Sequence, residues 1–221
     1  HHFSLNIPGG LTLSAWVKTD SNSGSAYIID KGDGESNSQD FLIGRNGSKF
    51  NYFWRSSPST HGGAATSETV IIPGQWVHVL VTHVSGNAPV LYINGVQKAH
   101  VLSGAPPNDP SVPRKFHNQP LRIGVDARTS GHDKHFDGKI DEVRIYDRAL
   151  GAAEVAQLHS FEKPPVITAQ PQSQAVVTGS NVTLTADANG TGLGYQWYRN
   201  NAAITGATNS TYTITGAHDD Q

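Results

Sequence analysis

The sequence predicts an all-β protein, and three observations support that prediction. Charged residues make up only 15% of the 221 residues while glycine occurs 23 times, a balance that is typical of short strands joined by many turns. Apolar and polar residues alternate in several segments, as they do in strands with one buried face. Asn-Gly pairs at Asn46 and Asn94 separate such segments and predict tight hairpins.

The predicted strands share alternating or wholly apolar side chains bounded by turn residues, and they are residues 11–18, 26–30, 40–44, 49–55, 69–72, 75–82, 90–95, 96–101, 121–125 and 136–146. The segments between them are polar or rich in Gly, Ser, Ala or Pro, and we expect loops at 32–39, 56–67, 104–120 and 126–135. From Ala149 the spacing becomes that of a short helix that ends near Leu158, with Glu154 near its positive N-terminal end.

The strand at 136–146 leads to a family resemblance. Residues 138–150 read Gly-Lys-Ile-Asp-Glu-Val-Arg-Ile-Tyr-Asp-Arg-Ala-Leu, which resembles the closing strand of laminin-G-like domains. The Trp-x-His at 76–78 and the Leu-Tyr-Ile-Asn-Gly at 91–95 also resemble that family. The resemblance implies a concanavalin A-like jelly-roll sandwich, which we assign to residues 1–161. Gly151 stands where the family usually has a hydroxyl residue, and it is a weaker N-cap.

A second domain follows a proline linker. Pro164 and Pro165 break regular structure, so we predict a linker at 162–165 and a domain at 166–221. Short strands at 176–178, 181–186 and 195–199 resemble bacterial immunoglobulin-like repeats, with Trp197 as the core tryptophan. The resemblance implies a partial immunoglobulin-like β-sandwich that lacks its last two strands. Three explanations stay open: a longer natural protein, a strand supplied by another chain, and a fragment that folds alone.

Composition argues against several classes of function. The formal net charge is −2 and the basic residues are scattered, so we expect no nucleic-acid partner. No apolar run approaches the ~18 residues of a membrane helix, so we expect no membrane insertion. Cysteine and methionine are absent, which excludes disulfides and thiolate metal sites and suits an extracellular, secreted or cell-surface location.

Acidic loops make calcium the candidate metal, because calcium takes six to eight oxygen ligands of the kind that Asp-rich and Gly-rich turns supply. The best candidates are Asp141, Asp30, Asp33 and Asp126. Alternation puts Asp141 on the same strand face as Val143 and Ile145, where a carboxylate would need a partner. The resemblance also implies a structural calcium near this strand. The alternative interpretation is that these residues are solvated loop acids.

No catalytic motif is evident. The Glu-x-Asp-x-x-Glu motif of related jelly-roll glycosidases is missing, and so is a Gly-x-Ser-x-Gly elbow. Two histidines at 132 and 135 lack a third ligand, so zinc binding has little support. We therefore predict a protein that is not an enzyme.

Glycan binding has more support. Sugars stack on aromatic rings while polar groups bind their hydroxyls, so Trp54 and Tyr52 with Arg55 and His61 form the candidate binding site. The alternative is that Phe50, Tyr52 and Trp54 are core residues, in which case the binding surface lies in the loops.

The prediction for function is a non-catalytic extracellular binding or adhesion module that recognises glycans or surface proteins, as part of a larger bacterial secreted or cell-surface protein. The alternatives are an accessory domain of a polysaccharide-degrading enzyme, or a structural subunit of a surface filament or array. In the last case the incomplete sandwich would exchange strands with a neighbour.

Overall fold

The fold is described from a computed structural model, which covers residues 5, 7, 9–32, 40–57, 60–104, 120–126, 134–163, 165–190 and 192–218. The chain divides into two compact units, residues 1–159 (unit 1) and residues 160–221 (unit 2).

Unit 1 is built from strands and one helix. They are β1 (Gly10–Thr19), β2 (Ser25–Lys31), β3 (Phe41–Asn46), β4 (Lys49–Ser57), β5 (Thr60–Thr66), β6 (Val77–Val84), β7 (Val90–Ile93), β8 (Val96–Lys98), β9 (His100–Gly104), β10 (Leu121–Ile123), β11 (Gly138–Tyr146) and α1 (Ala152–Glu162), whose last residues continue into unit 2. In the described part of the chain, no helix has the length and hydropathy of a membrane span.

Two antiparallel sheets form the sandwich. One has five strands in the order β11-β1-β6-β7-β8, and the other has six in the order β10-β2-β3-β4-β5-β9. Alternate residues of both sheets point inward, and the largest fully buried side chains include Leu13, Ile43, Phe50, Tyr52 and Leu91. The predicted all-β jelly-roll sandwich is confirmed.

Both predicted hairpins form, with one difference in the turn. Asn94 and Gly95 link β7 to β8 and both have positive φ, 50° and 76°, as a type I′ turn requires. Between β3 and β4, however, Asn46 pairs with Lys49, so the two turn residues are Gly47 and Ser48. Only Gly47 of that turn has a positive φ, 59°.

Residues 60–66 form a strand where the sequence predicts a loop. Strand β5 is rich in small residues that have low strand propensity, but it pairs on both sides, with β4 and with β9. Gly62 is required there, because a Cβ at this position would lie 2.1 Å from Cζ2 of Trp54. Tertiary pairing therefore overrides local propensity.

Residues 69–72 form a loop where the sequence predicts a strand. The amides of Val70 and Ile71 both donate to the carbonyl of Ser48, at 2.9 and 3.0 Å. Ile71 is nevertheless fully buried in the core. The apolar pattern reflects burial of a loop that folds over the hairpin rather than strand pairing.

Strand β11 contains a bulge that changes its phase. Ser14 pairs with Arg144 and Trp16 pairs with Asp141, so two residues of β11 stand opposite one residue of β1. Glu142, in the bulge, has a φ of 48°. Ile140, Val143 and Ile145 all pack against the core as a result.

Helix α1 covers the side of the five-stranded sheet that faces away from the core. Val155 is fully buried there. Gly151 precedes the helix, and its amide donates to Oε2 of Glu154 at 2.8 Å, which compensates for the missing N-cap hydroxyl. Arg148 also binds that carboxylate, at 2.8 and 2.9 Å.

Unit 2 is a small set of paired strands: β12 (Val166–Ala169), β13 (Val182–Thr185), β14 (Asp187–Asn189), β15 (Tyr198–Arg199), β16 (Ala202–Ala203) and β17 (Thr211–Ile214). Strand β12 pairs with β14, β13 with β17 and β15 with β16. The predicted strand at 176–178 is unpaired, and Val177 is 79% exposed. Val182 is the one buried hydrophobic residue among the described residues of unit 2.

Candidate functional site

The face of the six-stranded sheet turned away from the core is the candidate site, and we call it the outer face. Its residues alternate with the core residues of β2, β3, β4, β5 and β9, and they are Tyr27, Asp30, Leu42, Gly44, Asn51, Phe53, Gly63, Ala65, Val101 and Ser103. Helix α1 packs on the other sheet. Asp30, Leu42 and Asn51 are buried on the outer face, whereas Tyr27, Phe53 and Ala65 are half-buried and Val101 and Ser103 are exposed.

Phe53 shares the outer face with a second aromatic residue, Tyr27, which pairs with Gly44. Phe53 is half-buried, and it belongs to neither hydrophobic cluster of the described residues. Its ring leans over Gly63 of the neighbouring strand, because a Cβ on Gly63 would meet ring atoms of Phe53 at 3.0 and 3.1 Å. The hydroxyl of Ser103, on β9, would lie 2.7 Å from the same Cβ. Glycine thus lets the ring lie close to the sheet beside an exposed hydroxyl residue.

Asn51 lies two residues before Phe53 on the same face. Its side chain is in contact range of small residues, since Asn51 pairs with Gly44 on one side and Ala65 on the other. It is 7% exposed, and its Oδ1 has no hydrogen-bond partner among the residues that the structure describes. A buried carbonyl oxygen of this kind is costly unless another group donates to it.

Buried charges lie at one end of the same sheet. The amine of Lys31 forms an ion pair with the carboxylate of Asp40, and both side chains are almost completely buried. The amide of Arg55 donates to the carbonyl of Asp40 at 3.4 Å, and the Arg55 residue is 4% exposed. Asp30 and Asp126 are fully buried. These groups stiffen the end of the sheet next to the loops.

The predicted stacking residues Tyr52 and Trp54 lie in the core, which corrects the sequence prediction. Tyr52 is 0% and Trp54 is 6% exposed, so neither ring can stack on a sugar. Both rings contact His83 edge-on, at 5.5 and 4.9 Å between centroids. Nε2 of His83 donates to the carbonyl of Asn87 at 3.0 Å, so its Nδ1 accepts from the hydroxyl of Tyr52 at 2.8 Å.

The other two predicted binding residues are Arg55 and His61. Arg55 is on the outer-face side of β4, but it is buried rather than available to a ligand at the surface. His61 pairs with Arg55 through β5, and its side chain lies outside the described residues.

The structure does not bring the predicted calcium ligands together within the described residues, where no group of three or more acidic or histidine side chains could hold a metal. Asp141 is exposed, and the bulge removes it from the face of Val143 and Ile145, so that part of the prediction is wrong. Its Oδ1 accepts from the amide of Glu142 at 2.8 Å. Asp33 lies outside the described residues. Calcium binding stays a prediction that rests on the sequence.

Phe53 is the functional candidate that the sequence prediction missed. The alternation of Phe50, Tyr52 and Trp54 correctly marks one face of β4, and Phe53 is out of phase with it. An aromatic residue out of phase with a core stripe faces the other side of the sheet. That signal was present in the sequence, but a choice between the two faces needed the position of the core.

Unit 2 contains a groove of about 460 Å³. It is lined by apolar and polar residues of β13, β15 and β17 and the loops beside them, among them Leu184, Trp197, Ile204, Tyr212 and Ile214. Trp197 is half-buried rather than enclosed, its Nε1 donates to the carbonyl of Asn209 at 2.9 Å, and its ring lies 6.0 Å from that of Tyr212.

Comparison with protein families agrees with this architecture. Residues 1–156 match the model of the concanavalin A-like lectin/glucanases superfamily, and residues 164–221 match that of an immunoglobulin domain. A search of curated proteins finds no match.

Solved structures share the fold of unit 1 at low sequence identity. A heptameric SAP-like pentraxin from Limulus polyphemus is 15% identical with a TM-score of 0.51, covering 72% of this chain and 75% of its own. The CBM40 of Ruminococcus gnavus IT-sialidase, bound to α2,3-sialyllactose, is 15% identical with a TM-score of 0.54, covering 69% and 84%. The receptor-binding domain of botulinum neurotoxin C/D mosaic serotype is 15% identical with a TM-score of 0.51, covering 71% and 37%.

Proposed function

The chain belongs to the concanavalin A-like lectin/glucanases superfamily, and we propose that it is a non-catalytic module that binds glycans on the outer face of its six-stranded sheet. The observation that carries this proposal is the half-buried ring of Phe53 over Gly63, beside the exposed residue Ser103.

The chemistry of that surface suits a sugar. The apolar face of a pyranose packs against an aromatic ring, and its hydroxyls need donors and acceptors nearby. Ser103 offers a hydroxyl beside the ring of Phe53, since both lie close to Gly63.

The comparisons support the class of ligand. The Ruminococcus gnavus CBM40 is a carbohydrate-binding module with sialyllactose bound, and the neurotoxin domain is a receptor-binding domain. Among the proteins described above, the shared fold therefore occurs in a carbohydrate-binding module and in a receptor-binding domain. By analogy, we place this chain in the same class of non-catalytic modules.

We also propose an extracellular setting. A lectin-like sandwich followed by an immunoglobulin domain, in a chain without cysteine or methionine, fits a secreted or cell-surface protein of a bacterium. Glycans and surface proteins are the partners expected there. The alternative within the same setting is an accessory module that holds a polysaccharide-degrading enzyme on its substrate.

Binding to a glycan array, followed by calorimetric titration of the best ligand, tests the proposal. We expect saturable binding by the native chain and at least a tenfold loss of affinity in Phe53→Ala, with a smaller loss in Ser103→Ala. Trp76→Ala is the matched control, because Trp76 is an aromatic residue, 39% exposed, next to the other sheet. Binding that survives Phe53→Ala unchanged, or is lost equally in Trp76→Ala, would contradict the proposed site.

A second proposal concerns assembly through unit 2. The groove beside Trp197 presents an apolar surface next to strand β17, and residues 176–178 form an apolar, unpaired stretch within the described part of unit 2. We propose that this stretch of a second copy adds to the groove, as in β-strand addition. Light scattering over a concentration series should show a dimer that Ile214→Lys abolishes and Thr211→Lys preserves. A monomer at all concentrations would exclude the assembly.

A further inference from the structure

Helix α1 ends against a stack of three rings on the five-stranded sheet. The ring of His159, in the last turn of α1, lies 5.5 Å from that of Trp16 and 5.6 Å from that of His78, at interplanar angles of 20° and 29°. Trp16 and His78 are cross-strand partners in β1 and β6, with their rings 5.4 Å apart. We call these three residues the ring stack.

The hairpin between β7 and β8 closes the stack from one side. A Cβ on Gly95 would lie 3.1 Å from Cβ and 3.2 Å from Cγ of His159, so the turn packs directly against the histidine. The turn is tied to the stack through Asn94 as well, because the amide of His78 donates to Oδ1 of Asn94 at 2.9 Å. The position of His159 is therefore defined by two strands and a turn.

His78 is fully buried in the stack, and its Nε2 is 2.7 Å from the hydroxyl of Ser14. Burial is the main reason that the pKa of His78 is lowered from 6.5 to about 4, and the charges of His159 and Arg144 lower it further. Arg144 is on β11, and Glu142 of the same strand accepts from its Nη2 at 2.7 Å. Ser14 and Trp16, the residues of β1 beside His78, carry no charge. Two carboxylates lie near the stack: Asp141 of β11 is the cross-strand partner of Trp16, and Glu162 follows His159 by three residues on α1.

Different interactions hold the two ends of α1, an ion pair with a capping hydrogen bond at one end and ring contacts at the other. At the N-terminal end, the carboxylate of Glu154 binds Arg148 and the amide of Gly151, and these contacts hold the pKa of Glu154 at about 2. At the C-terminal end, His159 is in ring contact with Trp16 and His78, and a positive charge on the buried His78 is unfavourable there. Acid therefore affects the two ends at very different pH values.

We propose that mild acid releases the C-terminal part of α1 from the sheet, through protonation of His78 and His159. Two cationic imidazoles at 5.6 Å beside Arg144 repel one another, and a fully buried His78 cannot reach water while the stack is closed. Because α1 continues from unit 1 into unit 2 at Ser160, its release would loosen the chain that joins the two units.

Amide hydrogen exchange of the full chain, normalised to intrinsic rates at each pH, tests the release. Between pH 7 and pH 4.5, we expect protection of residues 156–162 to fall about tenfold or more and to stay well below that of the core amides of β1 and β6, which exchange only on global unfolding. Equal protection of the helix at both pH values would overturn the proposal. So would loss of helix and core protection in a single step, since that is global unfolding.

Two variants identify the groups responsible. His159→Gln removes one imidazole from the stack at a half-buried position and should keep the helix protected at pH 4.5 within about threefold of its value at pH 7. His100→Gln, on β9 of the other sheet, is the matched control and should behave as the native chain. Acid release that is unchanged in His159→Gln, or abolished in His100→Gln, would refute the role of the stack.

Discussion

Phe53 and Trp54 are neighbours in strand β4, yet their rings lie on opposite faces of the six-stranded sheet. The ring of Trp54 is in the core, 6% exposed and against Gly62, whereas the ring of Phe53 is on the outer face against Gly63. Two adjacent glycines of β5 thus pack against two adjacent aromatic rings of β4, Gly62 against Trp54 on the core side and Gly63 against Phe53 on the outer side. The inner ring stabilises the sandwich, and the outer ring is the proposed binding platform.

Trp54→Ala should lower the free energy of unfolding by about 3–5 kcal/mol, because it opens a cavity between the sheets. Phe53→Ala should cost only about 1–2 kcal/mol, since its ring is already half in solvent. Urea denaturation followed by circular dichroism measures both. Similar losses from the two variants would mean that the rings are not divided between core and surface.

Gly62→Ala should destabilise unit 1 by about 1–3 kcal/mol, because its Cβ would overlap the indole of Trp54 and overpack the core. Gly9→Ala is the control, since nothing lies within 4 Å of a Cβ there. Thermal melts of the two variants provide the comparison. A Gly62→Ala variant as stable as Gly9→Ala would show that the ring of Trp54 can move aside.

Removing one partner of the buried pair Lys31–Asp40 should be costly. Asp40→Leu leaves a buried amine without its carboxylate, and we expect a loss of about 3–5 kcal/mol, most of which Lys31→Met in the same chain restores. The partly exposed pair Lys98–Glu68 is the control, where Lys98→Met should cost about 1 kcal/mol or less. A double variant no more stable than Asp40→Leu alone would argue against this account.

Stability of unit 1 should fall as the pH drops from 6.5 to about 4. The pKa of His78 is lower in the folded protein than in the unfolded chain, so the unfolded chain takes up the proton first. The full stabilisation is present above pH 6.5 and is lost as the pH approaches 4, with a total of about 3 kcal/mol.

Urea unfolding midpoints measured from pH 8 to pH 4 test this predicted loss of stability. The link between Glu154 and Arg148 persists to much lower pH and should contribute nothing in that interval. A His78→Asn variant should show a flatter profile than the native chain. An equally steep profile in that variant would assign the effect to another group.

Most of the fold could be predicted from local sequence. Alternation identified the strands of both sheets, the Asn-Gly pairs located two hairpins, and the motif at 138–150 located the closing strand and the helix after it. These features depend on side-chain period and turn chemistry, which neighbouring residues determine among themselves.

Tertiary contacts decided the rest, because strand phase and strand pairing are non-local. The bulge at Glu142 took Asp141 away from the core face, and pairing with β4 and β9 made a strand of the Gly- and Ala-rich residues 60–66. The position of the opposite sheet determined that Trp54 is buried and Phe53 is outside. Alternation shows that two faces exist, but only the packing of one sheet on the other decides which face meets the solvent.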